Sequence, residues 1–337
     1  MIVDAHAHLA SPELVERVRR DGERLGIRCV DSAQGTALEF AASVRSRPLF
    51  AGMTSVPTRT AAIAEAGVDL QIVSPWVDLF GYALPPEQGE VWARALNDSL
   101  ASAIHGESHL AGMATVPLQD GRRAARELER AVALHGFCGV EIGTNIAGDR
   151  ALDDPDLEPF WAACVATNTA VFLHPVDALR TDRFAPFYGW NLIGNPLETA
   201  FAATRLIFGG VLDRHPDLRV LLCHGGGHFP YQIGRLDQGY ALRPETRNTS
   251  ARQPSEYLRR FSYDTVLNAA QPLRFLLDLV GSDRIIVGTD FPFDMGDERP
   301  ARTLDALKLS SSERARIESE NAIALFALDR PQLVPGI

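Results

Sequence analysis

Five side chains suited to a metal centre lie far apart in this 337-residue sequence. They are His6 and His8 in His-Ala-His, His174 in Leu-His-Pro, His224 at the head of His-Gly-Gly-Gly-His, and Asp290 in Gly-Thr-Asp-Phe-Pro. Alternate residues of an extended strand point to the same side, so His6 and His8 can offer two imidazoles to one ion. His174 and Asp290 would add a third nitrogen and a carboxylate oxygen. Three nitrogens and one oxygen suit Zn²⁺, and Mn²⁺, Fe²⁺ and Co²⁺ accept the same set. A position left open to water would make such a centre catalytic. His224 is expected to handle a proton or to hydrogen-bond the water there, with a further ligand or a prop for the others as its alternative. Singly, each signal is weak: His-x-His pairs occur as ordinary satisfied polar residues, and Asp290 could be a helix N-cap. The order of all five along the chain carries the metal reading.

These residues need elements that bring them together, and each closes a short apolar run. The runs are Ile2 to His6, Leu70 to Ser74, Leu110 to Ala114, Gly139 to Gly143, Ala170 to His174, Arg219 to His224, Phe261 to Asp264 and Arg284 to Asp290. Nearly continuous apolar character fits strands buried on both faces of a parallel sheet. Helical patterns lie between them, from Asp120 to His135 and from Pro196 to Arg214. Eight such alternations predict a (β/α)8 TIM barrel in one domain spanning residues 1–328, with a doubly wound open sheet as the rival. In a barrel, the residues closing the first, fifth, sixth and eighth strands converge at one mouth. About Ile27 to Ser55 reads as a small β insertion after the first strand–helix unit. The end beyond Asn321, with the tail 329–337, reads as loosely attached.

Bulk properties exclude several other roles. The formal net charge is −10 and charged residues make up 23% of the chain, which gives no general attraction to nucleic acid or anionic membrane. No apolar run is long enough to span a bilayer, and the N-terminus lacks the pattern of a secretory signal. Cys29, Cys138, Cys164 and Cys223 form no CxxC pair, so reduced thiols in a cytoplasm are expected. His105, His109, His135 and His215 read as surface residues on helices or loops.

Around the five residues lie longer motifs: Gly136-Phe137-Cys138-Gly139-Val140-Glu141-Ile142-Gly143-Thr144, Phe172-Leu173-His174-Pro175, Pro196-Leu197-Glu198-Thr199, Phe208-Gly209-Gly210-Val211, Gly234-Arg235 and Arg243-Pro244. With His224-Gly225-Gly226-Gly227 and Gly288-Thr289-Asp290-Phe291-Pro292-Phe293, they make the chain resemble the amidohydrolase-related decarboxylases typified by aminocarboxymuconate semialdehyde decarboxylase. The resemblance runs from the first strand to about Leu328 and is strongest after Leu110. It implies a metal-dependent, non-oxidative decarboxylase acting on an unsaturated or aromatic acid, such as a carboxymuconate semialdehyde or a hydroxybenzoate. It further implies that His6, His8, His174 and Asp290 hold the ion, that His224 is catalytic, and that Asp290 can pass the proton. It also implies a homodimer in which Arg243 meets the substrate carboxylate across the interface. A second substrate arginine falls in the β insertion, with Arg47 as candidate and Arg45 as rival.

The chain departs from that pattern at three places. Trp190 is displaced and followed by Asn191, His228 replaces a small residue, and Glu141 stands where an amide is common. Glu141 could recruit a second ion, or be a buried hydrogen-bonded carboxylate; His228 could equally pack its loop. A metal-dependent hydrolase or hydratase on the same scaffold is therefore the alternative function, since a bound ion also activates water. A non-catalytic binding protein on a decayed barrel is a further alternative, opposed by the intact ligand set.

Overall fold

The computed structural model describes residues 1–40, 44–146, 150–176 and 183–328. Eight parallel strands form one sheet, in chain order apart from an inserted hairpin: β1 Val3–Leu9, β4 Leu70–Pro75, β5 Leu110–Ala114, β6 Gly139–Gly143, β7 Ala170–His174, β8 Val220–Leu222, β9 Phe261–Asp264 and β10 Ile285–Ile286. The hairpin pairs β2 Arg28–Ser32 with β3 Gly35–Glu39. The last apolar run, expected as a strand from Arg284 to Asp290, is regular only over β10. Its remainder nevertheless bonds to β1: Ala5 N–H donates to Val287 O (2.9 Å), Asp290 N–H to His6 O (2.7 Å) and His8 N–H to Phe291 O (2.9 Å). These bonds join the first strand to the last and close the (β/α)8 barrel.

A buried side-chain network locks the same seam. Asp4 accepts from Thr289 N (2.9 Å), Thr289 Oγ1 (2.6 Å) and Gln71 Nε2 (2.7 Å). Arg59, fully buried, donates to Gln71 Oε1 at 2.6 Å and to the carbonyl of His8. Burial pushes the Arg59 guanidinium down to about 9.

Strand alternation sorts the core into two layers. Phe172, Leu221 and Met113 face the barrel interior, while Val171, Leu222 and Val140 face the helices. Strand β1 breaks the alternation. Asp4 pairs with Gln71 but Ala7 with Val73, so β1 carries one extra residue. Val3 and Ala5 belong to the inner layer, whereas Ala7 and Leu9 belong to the outer one. This β-bulge turns His6 and His8 inward, a known use of bulges beside active sites.

The helices carry ordinary end signals. Gly121–His135 starts with the Asp120 side chain accepting from Arg123 N–H and stops at Gly136 in the left-handed region. The predicted helix from Pro196 to Arg214 is two helices, Asn195–Phe208 and Val211–Arg214, broken at Gly209-Gly210. The insertion is β only in its first half, since Ala51–Thr54 is helical. The end beyond Asn321 is not loose as far as Leu328: Asn321–Phe326 is a helix, and Ala322, Phe326 and Leu328 close the floor of the inner core. Residues 329–337 lie outside the described residues. No helix among the described residues is long and apolar enough to cross a membrane.

Candidate metal centre

The barrel brings His6, His8, His174, His224 and Asp290 together at the C-terminal ends of its strands. Ring centroids lie 5.2 Å apart for His6 and His8, 4.8 Å for His8 and His174, and 5.3 Å for His174 and His224. Asp290 Oδ1 is 3.2 Å from His6 Nε2 and 3.3 Å from His8 Nε2. His224 Nε2 lies 3.5 Å from the other oxygen, Oδ2. His224 (φ 52°) and Asp290 (φ 55°) both sit in the left-handed backbone region. Non-glycine residues held there cost on the order of 1 kcal/mol or more, and such strain collects at functional sites.

Each ligand candidate is aimed by what its far side touches. His6 Nδ1 donates to Asp264 Oδ2 at 2.6 Å, which leaves Nε2 facing inward. Asp264 Oδ1 accepts from the backbone N–H of Gly225 (2.9 Å) and of Val266 (3.1 Å), so one carboxylate holds both β1 and the His224 loop. His174 Nδ1 donates to the carbonyl of Pro175 at 3.1 Å. His8 Nδ1 faces Glu141 Oε2 and Ser74 Oγ, each at 3.5 Å. Gly288 is required here, because a Cβ would lie 2.9 Å from His6 Cβ and 3.0 Å from Asp264 Cβ.

The donor set fits a divalent ion. His6 Nε2, His8 Nε2, His174 Nε2 and Asp290 Oδ1 are buried and have no hydrogen-bond partner. Orphaned buried polar atoms are costly and call for a ligand. Four of them converging as three imidazole nitrogens and one carboxylate oxygen meet the demands of a catalytic divalent centre. The charges agree. Burial alone would raise Asp290, but the charge of His6 and the close approach of His224, His6 and His8 hold its carboxyl well below the usual range. Burial lowers His6, and Asp290 with Asp264 overrides it, raising the imidazole well above its ordinary value. Burial, reinforced by His8, His6 and His224, pushes His174 well down, which keeps it neutral as a ligand must be.

The remaining predicted residues separate. Glu141 is fully buried on β6, and both its oxygens lack hydrogen-bond partners, which departs from one of its two readings, a buried hydrogen-bonded carboxylate. With His8 and His174 it forms one group of possible ligand atoms; the other is His6, His174, His224 and Asp290, with His224 in the place foreseen for His8. Arg47 lies 4.7 Å over the Trp76 ring, 5.1 Å over Phe293 and 5.7 Å over Trp190, with Nε 2.9 Å from Asp78 Oδ2. Its rival Arg45 turns away to Glu39, with Nε 3.0 Å from Oε2. Arg243 follows the helix Ile233–Leu242 and is exposed beside Glu245. His228 is half-buried in the loop, its N–H donating to Pro196 O. His135 and His215, read as surface residues, are half-buried and bonded to Asp98 (2.8 Å) and Glu158 (2.7 Å). Asp4 and Arg59 were not foreseen; the only signal was a carboxylate inside the first apolar run.

A (β/α)8 barrel with this His₃Asp cluster at its mouth defines a metal-dependent barrel enzyme. Residues 3–328 match the amidohydrolase model Amidohydro_2, and the chain belongs to that family. A 2-amino-3-carboxymuconate-6-semialdehyde decarboxylase from Dictyostelium discoideum is 34% identical over 265 residues, covering 78% of this chain and 74% of the relative. A gamma-resorcylate decarboxylase from Rhodococcus jostii is 34% identical over 255 residues, covering 71% and 77%. Among solved structures, a dihydroxybenzoic acid decarboxylase from Polaromonas, with bound manganese and the inhibitor 2-nitroresorcinol, superposes with a TM-score of 0.79. It is 25% identical, and the match covers 98% of this chain and 97% of that one. All three are named as decarboxylases.

Proposed function

We propose that this chain is a metal-dependent, non-oxidative decarboxylase of an unsaturated or aromatic carboxylic acid. The observation that carries the reading is the convergence of four partnerless buried ligand atoms beside His224, in a chain whose relatives are named decarboxylases. His6, His8, His174 and Asp290 hold one ion in this reading, with zinc favoured by three nitrogens and one oxygen. Manganese, present in the Polaromonas neighbour, is the chief competitor. When bound, the ion supplies Lewis acidity to a substrate oxygen.

The protein groups do the rest. Arg47, steadied by Asp78 and walled by Trp76 and Phe293, is placed to pair with a carboxylate, and the flat aromatic walls suit a planar, conjugated substrate. His224 and Asp290 hold the proton that must reach the carbon bearing the carboxylate. Protonation there breaks the conjugation. The C–C bond then cleaves, carbon dioxide leaves without the bonding pair, and that pair restores the substrate's conjugated system. No external oxidant or reductant is needed.

Arg243, exposed on this protomer, would serve the site of a second copy. Ile193, Leu197 and Phe201 recur at four-residue spacing with exposures of 48, 41 and 57%, an apolar stripe that a homodimer would cover. The four unpaired cysteines favour a reducing, cytoplasmic setting. A hydrolase or hydratase remains the second reading, supported by the partnerless oxygens of Glu141 beside His8 and His174.

The test is carbon dioxide release from 2-amino-3-carboxymuconate semialdehyde and a panel of hydroxybenzoates, with zinc or manganese restored. One ion per chain and turnover of at least one acid are expected, both lost in His174→Ala. Two tightly bound ions and silence across the panel would sink the decarboxylase reading in favour of hydrolysis or hydration.

A further inference from the structure

The catalytic histidine leans on a thiol. Cys223, fully buried at the end of β8, places its Sγ 3.2 Å from His224 Nδ1 and 3.6 Å from Thr199 Oγ1. On the opposite side of the ring, His224 Nε2 is 3.5 Å from Asp290 Oδ2. Burial in the apolar inner core disfavours a thiolate at Cys223, which leaves an S–H able to donate.

Hydrogen-bond accounting then selects one tautomer. In its neutral form the His224 imidazole carries one N–H and one bare nitrogen. A bare Nε2 would set a lone pair against the Asp290 carboxylate, so Nε2 must carry the proton and donate to Oδ2. Nδ1 is then bare and needs a donor. The Thr199 hydroxyl is committed to Asn195 O (3.1 Å), which leaves the Cys223 S–H as the donor at hand.

We propose that the Cys223 thiol donates to His224 Nδ1 and thereby fixes the proton of His224 on Nε2, the nitrogen that faces Asp290 and the substrate. Cys223 is a positioning residue: it touches neither ion nor substrate and acts through His224. The inference rests on His224 being the proton-handling group of the proposed reaction.

The test uses the full-length, zinc-loaded protein labelled with ¹⁵N-histidine, the His224 signals being assigned by their loss in His224→Gln. In the unsubstituted chain, Nε2 should show the protonated, pyrrole-type resonance and Nδ1 the bare, pyridine-type one. Cys223→Val keeps the volume and removes the donor. It should mix the two tautomers and lower kcat about tenfold, with KM and zinc content unchanged, as expected for one lost hydrogen bond. Cys223→Ser, which restores a donor, should recover most of both readouts. An unchanged His224 spectrum in Cys223→Val overturns the proposal, as does a protonated Nδ1 in the unsubstituted chain. The spectrum is read on resting protein, so it separates failure of this proposal from failure of the decarboxylase reading, which only turnover tests.

Discussion

Asp264 accepts from His6 Nδ1 at 2.6 Å, while its second oxygen accepts from the N–H of Gly225, the residue after His224. One buried carboxylate thus fixes the tautomer of a ligand candidate on β1 and the backbone that presents the catalytic candidate after β8. Asp264→Asn weakens the acceptor for His6 and can present an amide N–H in its place. The expected result is a 10- to 100-fold weaker affinity for zinc, the usual cost of losing such a partner. Competition against a chromophoric chelator measures it; unchanged affinity would show that His6 is aimed by packing alone.

Proton competition follows from the same pair. In the ion-free protein His6 is held well above its ordinary value by Asp290 and Asp264, which override burial. Its contribution to ion-free stability is fully present below the unfolded value near 6.5 and fades as pH rises through the higher native value. An ion must displace that proton. Zinc binding near pH 7 is therefore expected to release about one proton from His6. Calorimetry in buffers of different ionisation enthalpy counts it, and zero release would contradict the charge state assigned to His6.

Phe326 is 2% exposed and plugs the floor of the barrel, with its Cε1 2.8 Å from where a Cβ on Gly139 would stand. Phe326→Ala is expected to cost about 3–5 kcal/mol in denaturant unfolding, in line with other buried phenylalanines. A loss below about 1 kcal/mol would mean that the floor can collapse into the space.

The stripe of Ile193, Leu197 and Phe201 carries the dimer proposal. Phe201→Glu should convert a dimer into a monomer by light scattering and abolish turnover through loss of the second copy's Arg243, while zinc content stays at the unsubstituted level. A unsubstituted chain that is already monomeric and active would remove Arg243 from the site.

The cluster was legible because its members lie at the ends of apolar runs, and His6 and His8 share a face by simple alternation. That alternation could not say which face. Counting from Val3 and Ala5, strict period two sends both histidines toward the helices, and only the extra residue in β1 turns them inward. Pairing across the barrel was equally invisible: nothing local to Asp264 names His6 as its partner 258 positions away. The contact between Cys223 and His224 was hidden for the opposite reason. Neighbours in an extended strand face opposite ways, and the left-handed turn at His224 folds the ring back onto the sulfur. The short β10 looked longer because Val287 to Asp290 bonds to β1 as a strand would without keeping regular pairing on its other side.

The seam between β1 and the stretch after β10 divides the cluster: His6 and His8 lie on one side of it and Asp290 on the other. During synthesis the two histidines leave the ribosome nearly an entire chain length before the aspartate. A nascent polypeptide stopped short of Thr289 lacks the carboxylate and also the strand that would shut the barrel around it. For the proposed four-residue centre, tight ion capture would require the same pairing that closes the barrel. In the proposed centre, a tight grip on the ion would have to wait until Asp290 has been made and its stretch has joined β1.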